Sequence, residues 1–247
     1  MAHTYNKLLV NWKSPQNSTN YAVGTLENKS GKYIFNYNKI VYEEAATKGF
    51  SPFVGLSELD KKYVSEKLFS IFERRIPNKQ RNDFKKFLKE YGVKSENVEW
   101  DYLTITKGRL ATDSISFEVP IIYEMNSKAL VLSCEAAGWS HTKKNISGYE
   151  IDDKISVRLE ENNQFDKKAL EIVLTDRKKL KIGYIPKPYN QVFYCIIKEK
   201  LKLSAFIHNK SFEDDRPMII VFAFVSQSVL EKQSDLLYMI EYQYWER

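Results

Sequence analysis

Apolar and polar residues alternate through Ile155, Val157 and Leu159, and again through Leu170, Ile172 and Leu174, the period of two that a half-buried strand requires. Between the two runs lies the polar turn Glu160-Glu161-Asn162-Asn163-Gln164. A further turn leads to Lys181-Ile182-Gly183-Tyr184-Ile185-Pro186. Related patterns predict strands from Leu130 to Cys134, from Leu201 to Ile207 and from Met218 to Val225. Tyr189, Val192, Phe193, Ile196 and Ile197 recur instead at helical spacing. Pro188 suits the first turn of that helix, where its missing amide costs little. Strands accompanied by one main helix predict a small β-barrel, which removes exposed sheet edges. The aromatic tail, Asp235 to Trp245, is expected to be an extra strand or a short helix whose apolar side chains need a cover.

The amino-terminal half reads differently. Leu8 to Trp12 predicts a short strand, and Tyr21 to Leu26 and Lys32 to Tyr37 flank a turn at 27–31, which predicts a hairpin. Val64, Leu68, Ile71 and Phe72 then predict a helix with Asp60 near its start and Pro77 as its stop. A second helix is expected from Asn78 to Tyr91, with Phe84, Phe87, Leu88 and Tyr91 on one stripe and Gly92 as the C-cap. Residues 93–126 read as short strands. The predicted fold class is therefore α+β, with an α+β domain at 1–126, a barrel at 127–230 and the aromatic tail at 231–247.

Composition narrows the chemistry. An apolar fraction of 43% excludes a wholly disordered chain, and no run of apolar residues is long enough to span a membrane. With no secretory segment at the amino end, a cytoplasmic protein is expected. Cys134 and Cys195 lack metal-ligand spacing and are expected to be reduced thiols. The net charge of +6 is uneven, since residues 1–92 carry 16 basic and 9 acidic side chains. Arg81, Lys85 and Lys89, spaced by four, share one helical face, which is either a solvated surface or, with Arg74 and Arg75, one offered to phosphates or an acidic partner. His3, His141 and His208 are the histidines, and no Ser/His/Asp order around them supports a hydrolytic triad. Asp152-Asp153 and Glu213-Asp214-Asp215 are adjacent loop acids of the kind that stay solvated. No enzyme activity, metal or cofactor is expected.

The second region, about residues 129–225, resembles a HIRAN domain. The resemblance rests on Ala136-Ala137-Gly138-Trp139, on the run from Arg158 through Asn162-Asn163-Gln164-Phe165-Asp166 to Leu170, and on Ile182-Gly183-Tyr184-Ile185-Pro186. It implies DNA binding, with a single-stranded 3′ end held in a pocket. Asn162, Asn163 and Asp166 match positions near that pocket, and Asp166 falls where the family places an acid that receives a terminal hydroxyl. Family members that bind DNA ends carry a basic residue and two aromatics after the early glycine, where this chain has Ser140, His141 and Thr142. Base stacking must then come from Trp139, Tyr149 or Phe165, while Lys143, Lys144 and Arg158 could contact phosphates. Trp139 and His141 complete the expected DNA-binding set.

The first region is similar to the amino-terminal subdomain of HipA-type toxin kinases in Tyr21 to Tyr37, in Leu68 to Tyr91, and in Thr112-Asp113 with Phe117 and Pro120. That resemblance implies a docking part without a kinase core, as no glycine-rich phosphate loop or Asp-Phe-Gly segment is present. Two functional readings follow. One is a non-catalytic protein that binds single-stranded DNA or DNA ends, in a toxin–antitoxin or phage-defence setting. The other is a docking or antitoxin-like subunit that binds a kinase-like toxin or another protein without contacting DNA.

Overall fold

A computed structural model describes residues 5–93, 97–142, 148–175, 180–210 and 215–245. The chain divides into two compact units, Met1–Pro120 and Ile121–Arg247. In the first, strands β1 (Lys7–Lys13), β2 (Asn20–Lys29), β3 (Lys32–Tyr37), β4 (Tyr63–Ser65) and β5 (Ile115–Glu118) form an antiparallel sheet in the order β4-β3-β2-β1-β5. Its core is aromatic because one face of this sheet carries Trp12, Tyr21, Phe35, Tyr37 and Phe117. Phe35 is fully buried, with the rings of Tyr37 at 4.8 Å and Phe72 at 5.4 Å edge-on to it. Edge-to-face pairs of this kind stabilise beyond their buried area.

Among the described residues, helices α1 (Lys39–Ala46), α2 (Ser70–Glu73), α3 (Asn82–Glu90) and α4 (Val98–Thr106) complete this unit. The helix expected across 60–72 is mostly absent. Tyr63–Ser65 instead pairs with β3, leaving Val64 54% exposed on an edge strand, and only one helical turn follows at Ser70. Asp60 pairs with Lys39 at 3.3 Å instead of starting a helix. The strand pairing reflects tertiary context: the Tyr63 hydroxyl accepts from Glu58 N at 2.7 Å while its ring lies 6.4 Å from that of Phe35. Within the stretch read as short strands, Val98–Thr106 is helical. Asn97 Oδ1 accepts from Trp100 N at 3.2 Å, an N-cap that satisfies one orphan amide.

The second unit is a single curled, half-barrel-like sheet in an α+β setting. Its strands are β6 (Ile121–Glu124), β7 (Ala129–Glu135), β8 (Lys154–Leu159), β9 (Leu170–Leu174), β10 (Lys181–Tyr184), β11 (Ser204–Lys210), β12 (Pro217–Phe224) and β13 (Ile240–Gln243). They run in the order β10-β9-β8-β11-β12-β7-β6-β13. All neighbours are antiparallel except β13, which lies parallel to β6. The sheet curls far enough for the chain beyond β7 to meet β10. There Ala137 N donates to Tyr184 O and Tyr184 N donates to Ala137 O, both at 2.9 Å.

The tail supplies both a 3-10 turn at Ser234–Met239 and strand β13. It is fastened at Glu124, whose carboxylate accepts from Ser127 N at 2.5 Å and from Trp245 N at 3.2 Å. Those hydrogen bonds, led by the Ser127 hydroxyl, hold Glu124 down at about 2. The expected single main helix is α6 (Asn190–Lys198), but it has company: the one-turn α5 (Trp139–Thr142) and α7 (Gln227–Glu231). Elements of four and five residues carry too few apolar repeats to show a period, so the sequence pattern had no means of registering them.

Candidate nucleic-acid interface

The loop from Glu160 to Ala169 joins β8 to β9, and its backbone is fixed by its own polar side chains. Asn163 Oδ1 accepts from Phe165 N and Asp166 N, each at 2.9 Å, the local turn chemistry that Asn favours. Asp166 Oδ1 accepts from Lys168 N at 2.9 Å. The other Asp166 oxygen faces helix α6, accepting from Asn190 Nδ2 at 2.8 Å with Lys187 Nζ at 3.4 Å. Asn190 is itself 1% exposed, so the first turn of α6 anchors the loop from below.

A second brace connects the loop to β10. Glu160 receives Lys181 Nζ at 2.7 Å, the Tyr184 hydroxyl at 2.8 Å and Asn163 Nδ2 at 2.5 Å. Lys181 Nζ also lies 2.5 Å from the Tyr184 oxygen. Hydrogen bonds from Lys181 and then Asn163 hold the Glu160 carboxyl at about 2, against an ordinary value of 4.5. Burial works against the Lys181 charge, yet Glu160 and Tyr184 carry its pKa upward. A carboxyl depressed in the fold stabilises it above the ordinary carboxylate range, and that contribution disappears as pH falls from about 4.5 towards 2. Glu160→Gln is therefore expected to flatten the acid limb of a stability-against-pH curve over that window. An unchanged limb would contradict the brace.

The sequence-predicted residues separate clearly. Asn163 and Asp166 come together in the loop, and Asn162 is exposed beside them. Trp139 is 6% exposed and packed edge-on against Tyr149, itself 7% exposed, so neither ring is presented to a base. His141 is exposed on α5. Arg158 engages Glu171 at 2.5 Å. Lys143 and Lys144, with Glu213 and Asp214, lie outside the described residues. Phe165 stands out, because at the tip of this braced loop its side chain is 94% exposed. Lys181, Tyr184, Lys187 and Asn190 are the participants that sequence reasoning left without a role; the signal for the first two was their place around the Ile182-Gly183-Tyr184 run.

In the first unit the five cations do not form one surface. Arg75 has a fully buried side chain and shares Asp113 with Arg74, at 2.8 and 2.7 Å. Arg81 precedes α3 and holds Asp83 at 2.7 Å, whereas Lys85 and Lys89 are exposed on the helix. Elsewhere, Ser133 Oγ and His208 Nε2 lie 3.0 Å apart, and burial pushes the His208 imidazole down. Among the described residues no group of three or more His, Cys, Asp or Glu is placed to hold a metal, and no helix is long and apolar enough to cross a membrane.

No protein-family model matches the chain, and no curated protein matches it. Two solved structures do. The HIRAN domain of human HLTF aligns at 15% identity with a TM-score of 0.35, over 43% of this chain and 85% of that one. A structural-genomics protein from Lactobacillus plantarum aligns at 14% identity with a TM-score of 0.29, over 38% of this chain and 98% of that one. Both are weak, low-identity structural likenesses, and neither is described as a HipA-type protein.

Proposed function

We propose that the second unit is a HIRAN-like module that binds single-stranded DNA or DNA ends without catalysing a reaction. The observation that carries this reading is Phe165, an aromatic ring 94% exposed on a loop whose backbone is held by Asn163 and Asp166. A ring held in this way is open to one-sided stacking, for which a base offers a flat partner. Phosphates next to a stacked base would meet exposed Lys167. Asp166, oriented by Asn190 and Lys187, is the group suited to accept from a terminal hydroxyl. The pairing of the two family resemblances is what suggests a toxin–antitoxin or phage-defence setting.

Phe165→Ala removes only an exposed ring, so the fold is expected to persist. Loss of one stacking platform is worth about 1 to 3 kcal/mol, or roughly 5- to 150-fold in affinity. Titration with single-stranded, blunt and recessed DNA, followed by fluorescence anisotropy, measures it. Equal affinity of variant and wild type would remove the stacking model. The docking alternative has its own observation: Met218, Ile220 and Phe222 are only partly buried on β12, and Phe224 is 65% exposed. If no DNA form binds, that apolar strand face becomes the leading surface, with a protein such as a kinase-like toxin subunit as its partner.

A further inference from the structure

The braced loop continues onto helix α6. Asn190 Nδ2 donates to the Lys168 carbonyl at 3.1 Å, which seats the end of the loop against the first helical turn. Asn190, Tyr194 and Lys198 follow at spacings of four and so form one stripe along the helix. Two ammonium groups converge on this stripe: Lys168 Nζ lies 5.8 Å and Lys198 Nζ 5.5 Å from the centroid of the Tyr194 ring. Among the described residues neither lysine pairs with a carboxylate. Attraction to the partly exposed Tyr194 ring supplies only about 0.5 to 1 kcal/mol for each cation, while the two cations repel one another. An anion beside the Tyr194 ring, within reach of both ammonium groups, would gain from each.

We infer that Lys168, Tyr194 and Lys198 form a second subsite that holds the phosphodiester backbone of a single strand whose end lies on Phe165. The inference rests on the proposed DNA binding and adds a direction: the strand leaves the loop tip and runs along α6. A single strand suits this stripe better than a duplex, because its unpaired bases can also meet the Tyr194 ring. The strand would then bridge an aromatic at the loop tip and an aromatic flanked by cations on the helix.

The test uses the full chain and thymidine oligonucleotides of about four and about twelve residues, lengths that bracket a small single-strand site. For Lys168→Gln/Lys198→Gln, affinity for the longer oligonucleotide is expected to fall roughly tenfold, with the salt dependence shallower by about 1.4 in log–log slope, or 0.7 for each phosphate that is no longer neutralised. Affinity for the shorter one is expected to stay unchanged. An unaltered slope with the longer oligonucleotide, or an equal loss at both lengths, overturns the second subsite. Failure of the underlying reading looks different: wild-type protein that binds neither length removes both, whereas sensitivity to Phe165→Ala without sensitivity to the double lysine variant removes the subsite alone.

Discussion

Gly183→Ala is expected to lower the stability of the second unit by about 3 kcal/mol or more, enough to leave a domain of ordinary stability largely unfolded on mild heating. Gly183 sits at φ +150°, and a Cβ there would come within 2.4 Å of the Ala137 carbonyl oxygen and 3.3 Å of Ala136 Cβ. The atom it strikes is backbone, so no side-chain rotation relieves the contact. That carbonyl also accepts from Tyr184 N, and Ala137 N donates back to Tyr184 O. Any shift that accommodates the methyl group therefore pulls apart the bridge by which the chain after β7 meets β10. Two hydrogen bonds at about 1 kcal/mol each, plus about 1 to 3 kcal/mol of backbone strain, give the expected size. Gly148→Ala is the control in the same unit, because its φ is +119° but a Cβ would meet nothing within 4 Å. Urea denaturation should place Gly183→Ala well below both wild type and the control. Equal midpoints for the two variants would mean that only backbone conformation matters and that the close approach at Ala137 does not exist.

The same bridge explains what could be read from the chain and what could not. Strands β8 and β9 were legible because they alternate cleanly, and the loop between them because Asn163 and Asp166 use chemistry encoded within a few residues. Gly183 was visible as part of a run, but its reason lies at Ala137, 46 positions away along the chain. Phe165 had the same composition signal as any core phenylalanine; its exposure depends on how the loop is braced from β10 and α6. Helix α4 was hidden because only Trp100 and Leu103 turn inward, too few to establish a stripe against Ile105 at 37% exposure. At 63–65 the error ran the other way. Helical spacing was present, but hydrogen bonding to β3 decided the local structure.

Asp113→Ala is expected to destabilise the first unit by about 3 to 5 kcal/mol, the usual consequence of leaving a buried charge without its partner. Arginines look like surface residues in a sequence, and Arg74 and Arg75 read as part of a basic face. The fold instead buries the Arg75 side chain completely, and both terminal nitrogens reach Asp113 Oδ2, at 2.9 and 2.8 Å. Burial pushes the Arg75 guanidinium below its ordinary value, although nearby Asp113 opposes the shift. Asp113 also accepts from Ile115 N through its other oxygen at 3.1 Å, so it orders the entry to β5 as well. Arg74 is half exposed and can turn to water when the carboxylate is removed; Arg75 cannot. Removing both charges should therefore be milder than removing one. Arg75→Met/Asp113→Ala is expected to recover at least half of the loss in thermal or urea denaturation, with the Ile115 hydrogen bond accounting for the remainder. A double variant no more stable than Asp113→Ala would show that the carboxylate acts through the β5 turn and not through the buried guanidinium. If DNA binding resides in the second unit, the recovered double variant should also bind single-stranded DNA with wild-type affinity, which separates the role of Arg75 in folding from any role in a basic surface.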